Sequence, residues 1–127
     1  MALPQAHRLK GQRCFDCLYR KGRAMHGPFL LLRWMDARPE LLPPAQRSHT
    51  ASPWRLGVVV SSKVHKRAVQ RNRLRRLLHG HLLATSIAPP ARPQWLLLSL
   101  KPGSAERNAA ALLGECDELL LRAGLSR

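Results

Sequence analysis

The sequence predicts a small α+β fold, a two-layer sandwich of helices and strands. Two observations lead to this prediction. Short apolar segments bounded by glycine or proline alternate with segments that carry a helical apolar stripe, in the order α-β-β-α-β-α with room for one more short strand. Apolar residues make up 45% of the 127 residues, which is enough for the core of one domain spanning residues 1–127.

The chain is predicted to begin with an irregular basic arm over residues 1–10. Gln12–Lys21 then forms a short helix that Gly22 ends as its C′ residue. Phe15 and Tyr19 are four residues apart in this helix and therefore share a face. The pair has two interpretations that stay open: it packs in the core, or it forms a platform on which single-stranded bases stack.

A strand is predicted at Phe29–Trp34, because this short apolar segment follows a glycine and a proline. A brief strand around Arg23–Met25 precedes it. Alternation along the longer strand places one set of side chains on a single face, and it stays open whether this face or the other meets the helix aromatics. The set is Leu30, Leu32 and Trp34. Residues 36–54 hold four prolines and are predicted to be a long loop insert.

The second half of the chain alternates strand and helix. Arg55–Ser61 is β-branched and predicts a strand, a helix follows from about Lys66 to Ala84, and Trp95–Leu100 predicts the last strand. Ser104 is predicted to cap a final helix, with Glu106 in its first turn where the helix dipole favours an anion. An apolar stripe and a closing glycine complete that helix: Leu112, Cys116, Leu119, Leu120 and Gly124.

The most informative segment is Lys63–Leu78, which contains no carboxylate. Its cations are Lys63, Lys66, Arg67, Arg71, Arg73, Arg75 and Arg76. A stripe of Leu74, Leu77 and Leu78 predicts a folded helix. Arg73 and Arg76 fall on one flank of its outer face, and the other flank holds Asn72, Arg75 and His79. Guanidinium groups at fixed spacing suit phosphate oxygens, which favours a nucleic-acid surface over a merely solvated basic face.

The charge of the chain limits its partners. The net charge is +15, and no carboxylate occurs between Glu40 and Glu106, so a polyanionic partner is expected. The longest apolar runs, Phe29–Leu32 and Trp95–Leu98, are too short to span a bilayer, and the N-terminus has no signal pattern. We therefore expect a cytoplasmic protein that binds no membrane.

The cysteines and histidines predict no metal centre. Cys14 and Cys17 form a lone C-x-x-C, Cys116 is distant, and zinc would need two more ligands, so the cysteines are expected to be structural or incidental. No protein-bound cofactor is expected. A nuclease acting alone would need clustered carboxylates or a histidine pair with a lysine, and the pattern of the chain predicts neither. We therefore expect no catalytic residue in this chain.

The run Arg55-Leu-Gly-Val-Val-Val-Ser-Ser-Lys63, followed by Arg71-Asn72-Arg73-Leu-Arg75-Arg76, resembles the signature of the bacterial ribonuclease P protein subunit. The Phe15–Tyr19 helix that ends in glycine and the strand before Lys101 fall in the same family order. The resemblance covers roughly residues 7–122. It implies an α-β-β-β-α-β-α fold similar to a ribosomal protein domain, with a left-handed βαβ crossover that departs from the usual handedness.

The resemblance also implies a function. In that family the protein assists a catalytic RNA, which uses bound Mg²⁺ to remove the 5′ leader of precursor tRNA. The residues it implies for binding the catalytic RNA are Lys63, Lys66, Arg67, Arg71, Asn72, Arg73, Arg75 and Arg76. Those it implies for binding the leader, in a cleft between the first helix and the sheet, are Phe15, Tyr19, Leu30, Leu32, Trp34 and His79.

Some residues depart from the family pattern. Ser62 stands where a first lysine is common, His79 where some members have arginine, and Leu32 where some have an aromatic residue. Two other functions stay open. A general RNA-binding or ribosome-associated protein would bind many RNAs with similar affinity and stimulate no cleavage. A DNA-binding regulator would place the basic helix in a major groove and prefer duplex DNA.

Overall fold

The computed structural model describes residues 7–42, 53–84, 87 and 92–125. Its helices and strands confirm the predicted order, α-β-β-β-α-β-α. They are α1 (Gln12–Lys21), β1 (Arg23–His26), β2 (Leu30–Asp36), β3 (Trp54–Val59), α2 (Ala68–Ala84), β4 (Gln94–Leu100) and α3 (Ala109–Arg122). None of the described helices has the length and apolar character needed to cross a membrane.

The strands form one four-stranded sheet in the order β1-β2-β4-β3. β2 pairs antiparallel with both β1 and β4, whereas β3 and β4 are parallel. A parallel pair needs a long crossover connection, and α2 lies in it. The left-handed sense of the crossover, which the resemblance implies, stays a prediction.

The core has two parts, one on each face of the sheet. On one face Trp95 and Leu97 of β4 pack with Cys14 and Leu18 of α1. On the other face the intervening residues Leu96 and Leu98 pack beneath α2 and α3, because successive side chains of a strand point to opposite sides. Their partners from these helices are Leu78, Leu82, Leu112, Cys116, Leu119 and Leu120. The stripe predicted for α3 is therefore confirmed.

The predicted basic arm is ordered at its end. Arg8 forms an isolated parallel bridge with Leu56 of β3, and Leu9 is only 3% exposed. The edge strand of a sheet has unpaired backbone N–H and C=O groups, and this segment satisfies some of them. The end of the predicted arm thus contacts the edge of the sheet, while residues 1–6 lie outside the described residues.

Several boundaries differ from the predictions by one or two residues. β2 extends to Asp36, β3 ends at Val59, and α2 begins at Ala68. The loop insert starts with a short 3-10 turn at Pro39–Leu41. Its residues 43–52 lie outside the described residues.

The predicted cap of the last helix is wrong. Ser104 begins a 3-10 turn that contains Glu106, and α3 begins only at Ala109. Asn108 is the N-cap, because its Oδ1 accepts a hydrogen bond from the backbone N–H of Ala111 at 2.8 Å. Asparagine caps a helix as well as serine does, and both types occur in this segment, so the pattern alone does not separate them.

Glycines end two of the helices, as predicted, but in different ways. Gly124 has a φ of 76°, and the N–H of Leu125 after it donates to the carbonyl of Leu120 at 2.9 Å. Gly22 instead has the extended values φ −69° and ψ 150°. The chain therefore leaves α1 directly into β1 without a left-handed turn.

Candidate nucleic-acid interface

Helix α2 has an apolar inner face and a basic outer face. Leu78 and Leu82 are buried, whereas Leu74 and Leu77 of the predicted stripe are only partly buried. The helix therefore packs most tightly through its C-terminal half. The exposed cations of the helix and of the turn before it are Lys63, Lys66, Arg67, Arg73 and Arg76.

Two other arginines of the R-N-R motif donate hydrogen bonds within the protein. Nη1 of Arg71 donates hydrogen bonds to the carbonyl oxygens of His65 and Lys66, each at 2.9 Å. These bonds hold the incoming turn against the first turn of α2. Arg75 donates in the same way to Oδ1 of Asn72. The remaining nitrogens of each guanidinium group stay available to a phosphate.

Arg73 and Arg76 line a groove of about 460 Å³ between α2 and the start of α3. Arg107, in the turn before α3, lines the same groove. Its guanidinium carbon lies 4.8 Å from the ring centroid of Phe29, a cation–π contact that orients the side chain. Within the described part of the chain, the side chains of Arg73 and Arg76 have no hydrogen-bond or ion-pair partner, so their charge is available to an anion.

The sequence pattern does not predict a role for Arg107. No motif surrounds it, and only the packing of α3 beside α2 brings it to the groove. A lone arginine in a turn carries no signal of its own in a chain this basic.

The other flank of α2 approaches the N-terminal segment. His79 is partly buried there, and this burial is the main reason why its pKa lies below the ordinary value. The nearby positive charges of Arg8 and Arg75 lower that pKa further. A lowered pKa favours the neutral imidazole of His79 at pH 7.

The two aromatic residues of α1 have different environments. Phe15 is partly buried and packs with the core on that face of the sheet. Tyr19 is 48% exposed, and the guanidinium carbon of Arg33 on β2 lies 4.8 Å from its ring centroid. The core interpretation therefore applies to Phe15, while Tyr19 has a ring that solvent reaches.

The structure corrects the predicted strand side of this site. Leu30 and Leu32 are 0% and 2% exposed within the core beneath α2 and α3, and Trp34 packs against the same cluster. These three residues therefore lie on the opposite face of the sheet from Phe15 and Tyr19. Alternate residues of a strand point to opposite sides, so burial of one set under α2 and α3 turns the other set towards α1.

An open strip of the sheet adjoins the aromatic residues of α1. Leu31, Ser99 and Val59 are paired in register across β2, β4 and β3, and all three are partly exposed. Neighbouring residues of β4 on the same face, Trp95 and Leu97, are buried. We call this strip, together with Phe15, Tyr19 and Arg33, the α1 cleft.

The family model for ribonuclease P matches residues 3–124. The chain belongs to the ribonuclease P protein family. It is 48% identical over 126 residues to the ribonuclease P protein component of a Prochlorococcus marinus strain, covering 98% of each chain. It is also 48% identical over 128 residues to that of Parasynechococcus marenigrum, covering 100% of each.

Solved structures of ribonuclease P proteins share this fold. The Staphylococcus aureus protein superposes with a TM-score of 0.75 at 18% identity, covering 97% of this chain and 100% of the other. The Thermotoga maritima protein superposes with a TM-score of 0.70 at 17% identity, covering 91% and 96%. The sequences have diverged far more than the arrangement of helices and strands.

The three cysteines of this family member are buried and free. Burial raises the pKa of Cys14 to about 11 and that of Cys116 to about 12. Thiols with such pKa values stay protonated at neutral pH and pack as small apolar side chains. Across the described ranges, no three His, Cys, Asp or Glu side chains form a group that would hold a metal ion.

Proposed function

We propose that this chain is the protein subunit of ribonuclease P and that it binds both the catalytic RNA and the 5′ leader of precursor tRNA. It thereby assists the endonucleolytic step that generates mature tRNA 5′ ends. Membership of the family over residues 3–124 supports this complex. One structural observation carries the assignment of two RNA partners: the arginines of α2 and the aromatic residues of α1 belong to helices on opposite faces of the sheet.

The catalytic RNA binds the α2 side in this proposal. The exposed, unpaired arginines of the groove take its phosphates, and Lys63, Lys66 and Arg67 extend the contact along the preceding turn. Arg71, Asn72 and Arg75 contribute through the groups that their internal hydrogen bonds leave unused. Arginine suits this task because its planar fork binds two phosphate oxygens at once.

The 5′ leader binds the α1 cleft. An exposed tyrosine ring accepts a stacked base whatever its identity, which suits a leader whose sequence differs from one tRNA to another. Arg33 lies at the same ring and supplies a positive charge for the backbone. The strand side of the cleft is Leu31, Val59 and Ser99, in place of the Leu30, Leu32 and Trp34 that the family resemblance implies.

The hydrolysis itself is assigned to the RNA and its Mg²⁺ ions. Metal-dependent cleavage by a protein needs several carboxylates that converge on an ion. Four of the seven carboxylates already accept hydrogen bonds from internal partners: Asp16, Asp36, Glu115 and Asp117. They come from α1, the end of β2 and α3. The chain therefore contributes binding and positioning.

The physical effect of the protein is mainly electrostatic. Two RNAs repel each other as polyanions, and a protein of net charge +15 between them lowers that repulsion. Each single-strand phosphate that the protein neutralises adds about 0.7 to the slope of log affinity against log salt. The complex is accordingly expected to need less Mg²⁺ than the RNA alone. Its proposed location is the cytoplasm.

Precursor-tRNA cleavage tests the proposal. The cognate catalytic RNA is assayed at low Mg²⁺ with and without the chain, beside the chain alone. Leader removal that is stimulated only when both are present is the expected result. A folded, RNA-bound chain that stimulates nothing would favour the general RNA-binding alternative. Cleavage by the chain alone would contradict the assignment of hydrolysis to the RNA.

A further inference from the structure

A second basic surface with an aromatic residue lies away from both proposed RNA surfaces. It is a hollow of about 380 Å³ where α1 passes into β1 and where β2 and α3 end. Its size falls in the range of sites that hold small molecules, about 300–1,000 Å³. The lining residues that matter here are Lys21, Arg23, Trp34, Asp36, Arg38 and Leu125.

The charges around this hollow favour an anion. Lys21, Arg23 and Arg38 are exposed, and in the described part of the chain none of their side chains has a hydrogen-bond or ion-pair partner. The charge of Arg23 does act on Asp36, because it helps to lower the pKa of that carboxyl group. The lining contains one carboxylate, Asp36. Its oxygens already accept hydrogen bonds from Gln94 at 2.7 Å and from Arg92, which lies outside the lining, at 3.1 Å. The three cations of the lining therefore stay available to a phosphate group.

Trp34 gives the hollow an aromatic wall. It is partly exposed, whereas the other two tryptophans of the chain, Trp54 and Trp95, are 7% and 1% exposed. The pairing of β1 with β2 sets Arg23 directly opposite Trp34. An indole beside guanidinium and ammonium groups combines a stacking surface for a base with partners for its phosphate.

The hollow is separate from the surfaces described above. It adjoins Ala123 after the last turn of α3, whereas the arginine groove adjoins Ala109 at the first turn, and 14 helical residues span about 20 Å. Trp34 packs with the core beneath α2 and α3, whereas Tyr19 and Arg33 of the α1 cleft lie on the other face of the sheet. Lys21 and Met35 line the hollow from the α1 side. The Trp34 wall is therefore distinct from the arginine groove and from the ring of Tyr19.

We propose that this hollow is a third RNA-binding site, which takes one nucleotide of a single strand. The base stacks on Trp34, and the phosphate contacts Lys21, Arg23 and Arg38. The site goes beyond the proposed function, since it belongs to the chain itself and requires neither the catalytic RNA nor cleavage. In the complex it would anchor a single-stranded segment about 20 Å from the arginine groove.

Tryptophan fluorescence of the full chain tests this site with hexaadenylate RNA as the probe. Trp34 is the partly exposed tryptophan, so stacking of a base on it should quench emission in a saturable way. Trp34→Phe should abolish the quenching, and this loss would identify Trp34 as its source. Binding is followed in parallel by the anisotropy of labelled hexaadenylate, which also detects RNA held elsewhere on the chain.

The cations are tested by a triple variant with Lys21→Ala, Arg23→Ala and Arg38→Ala. Its apparent affinity in the quenching assay should fall by about tenfold or more, which is about 1.4 kcal/mol. The charge-matched control replaces Lys10, Arg13 and Arg20, which are exposed and lie outside the lining, and should lose much less. Equal losses in the two triple variants, or RNA binding without quenching of Trp34, would overturn the proposal.

Discussion

The ring of Phe15 on α1 lies over the backbone of Gly57 on β3. A Cβ atom on Gly57 would come within 2.7 Å of Cε1 and 3.0 Å of Cζ of this ring. The absence of a side chain on β3 at this point lets α1 approach the sheet. The glycine in the run from Arg55 to Lys63 thus has a packing role, and it sets the position of the helix that carries Tyr19.

Replacing Gly57 with alanine should destabilise the fold by about 1–3 kcal/mol, because the ring or the whole of α1 must move to relieve the overlap. Urea unfolding followed by circular dichroism measures the change. Gly114→Ala is the matched control, because no atom from outside its own stretch of helix lies within 4 Å of its Cβ position. Alanine there should stabilise α3 by about 0.5–1 kcal/mol. Unchanged stability of Gly57→Ala would contradict the close approach.

Alanine at Arg73, Arg76 or Arg107 should weaken binding of the catalytic RNA, mostly at low Mg²⁺. Each lost phosphate contact should reduce the slope of log affinity against log salt by about 0.7–0.9. Anisotropy titrations over a salt series give both quantities. Arg122→Ala removes the same charge from an exposed position outside the groove and should leave the slope nearly unchanged. If Arg107→Ala left the salt slope as nearly unchanged as Arg122→Ala does, Arg107 would not be a phosphate ligand.

Arg71→Ala should differ from the groove variants because it also lowers stability. Its hydrogen bonds hold the carbonyls of His65 and Lys66, and hydrogen bonds from charged donors contribute about 1.5–3 kcal/mol, less where they are exposed. Arg73→Ala should stay within about 0.5 kcal/mol of the parent. Unfolding without RNA separates the two effects. An Arg71→Ala variant that unfolds like the parent would show that the turn needs no such support.

Tyr19→Ala should mainly lose discrimination between leader-bearing and mature tRNA, because stacking of one base contributes about 1–3 kcal/mol. This discrimination is measured by competition between the two tRNAs for binding to the assembled complex. Tyr19→Phe keeps the ring and should keep most of the discrimination. Since Tyr19 is 48% exposed, both variants should fold. Loss of folding in Tyr19→Ala would instead place the ring in the core.

The basic helix illustrates what a local pattern predicts well. Its composition and spacing predict Arg73 and Arg76 on one flank of the outer face, and the structure confirms these two as exposed residues on the side of α3. On the other flank Arg75 is only partly exposed and donates a hydrogen bond to Asn72. This succeeds because the geometry of one helix depends only on residues three or four positions apart. Arg107 and the edge contact of Arg8 with Leu56 depend on packing between distant segments, which no local spacing encodes.

The sequence by itself determined the order of helices and strands, the acid-free basic helix and the resemblance to one family. It also determined that Leu30, Leu32 and Trp34 share a face of β2. Only the tertiary structure decided that this face lies beneath α2 and α3 and that Leu31 and Arg33 meet α1. The reason is that helices contact both faces of β2, so both faces carry apolar residues and neither is marked as the solvent side. A strand's period of two separates its side chains into two sets but does not assign either set to a partner.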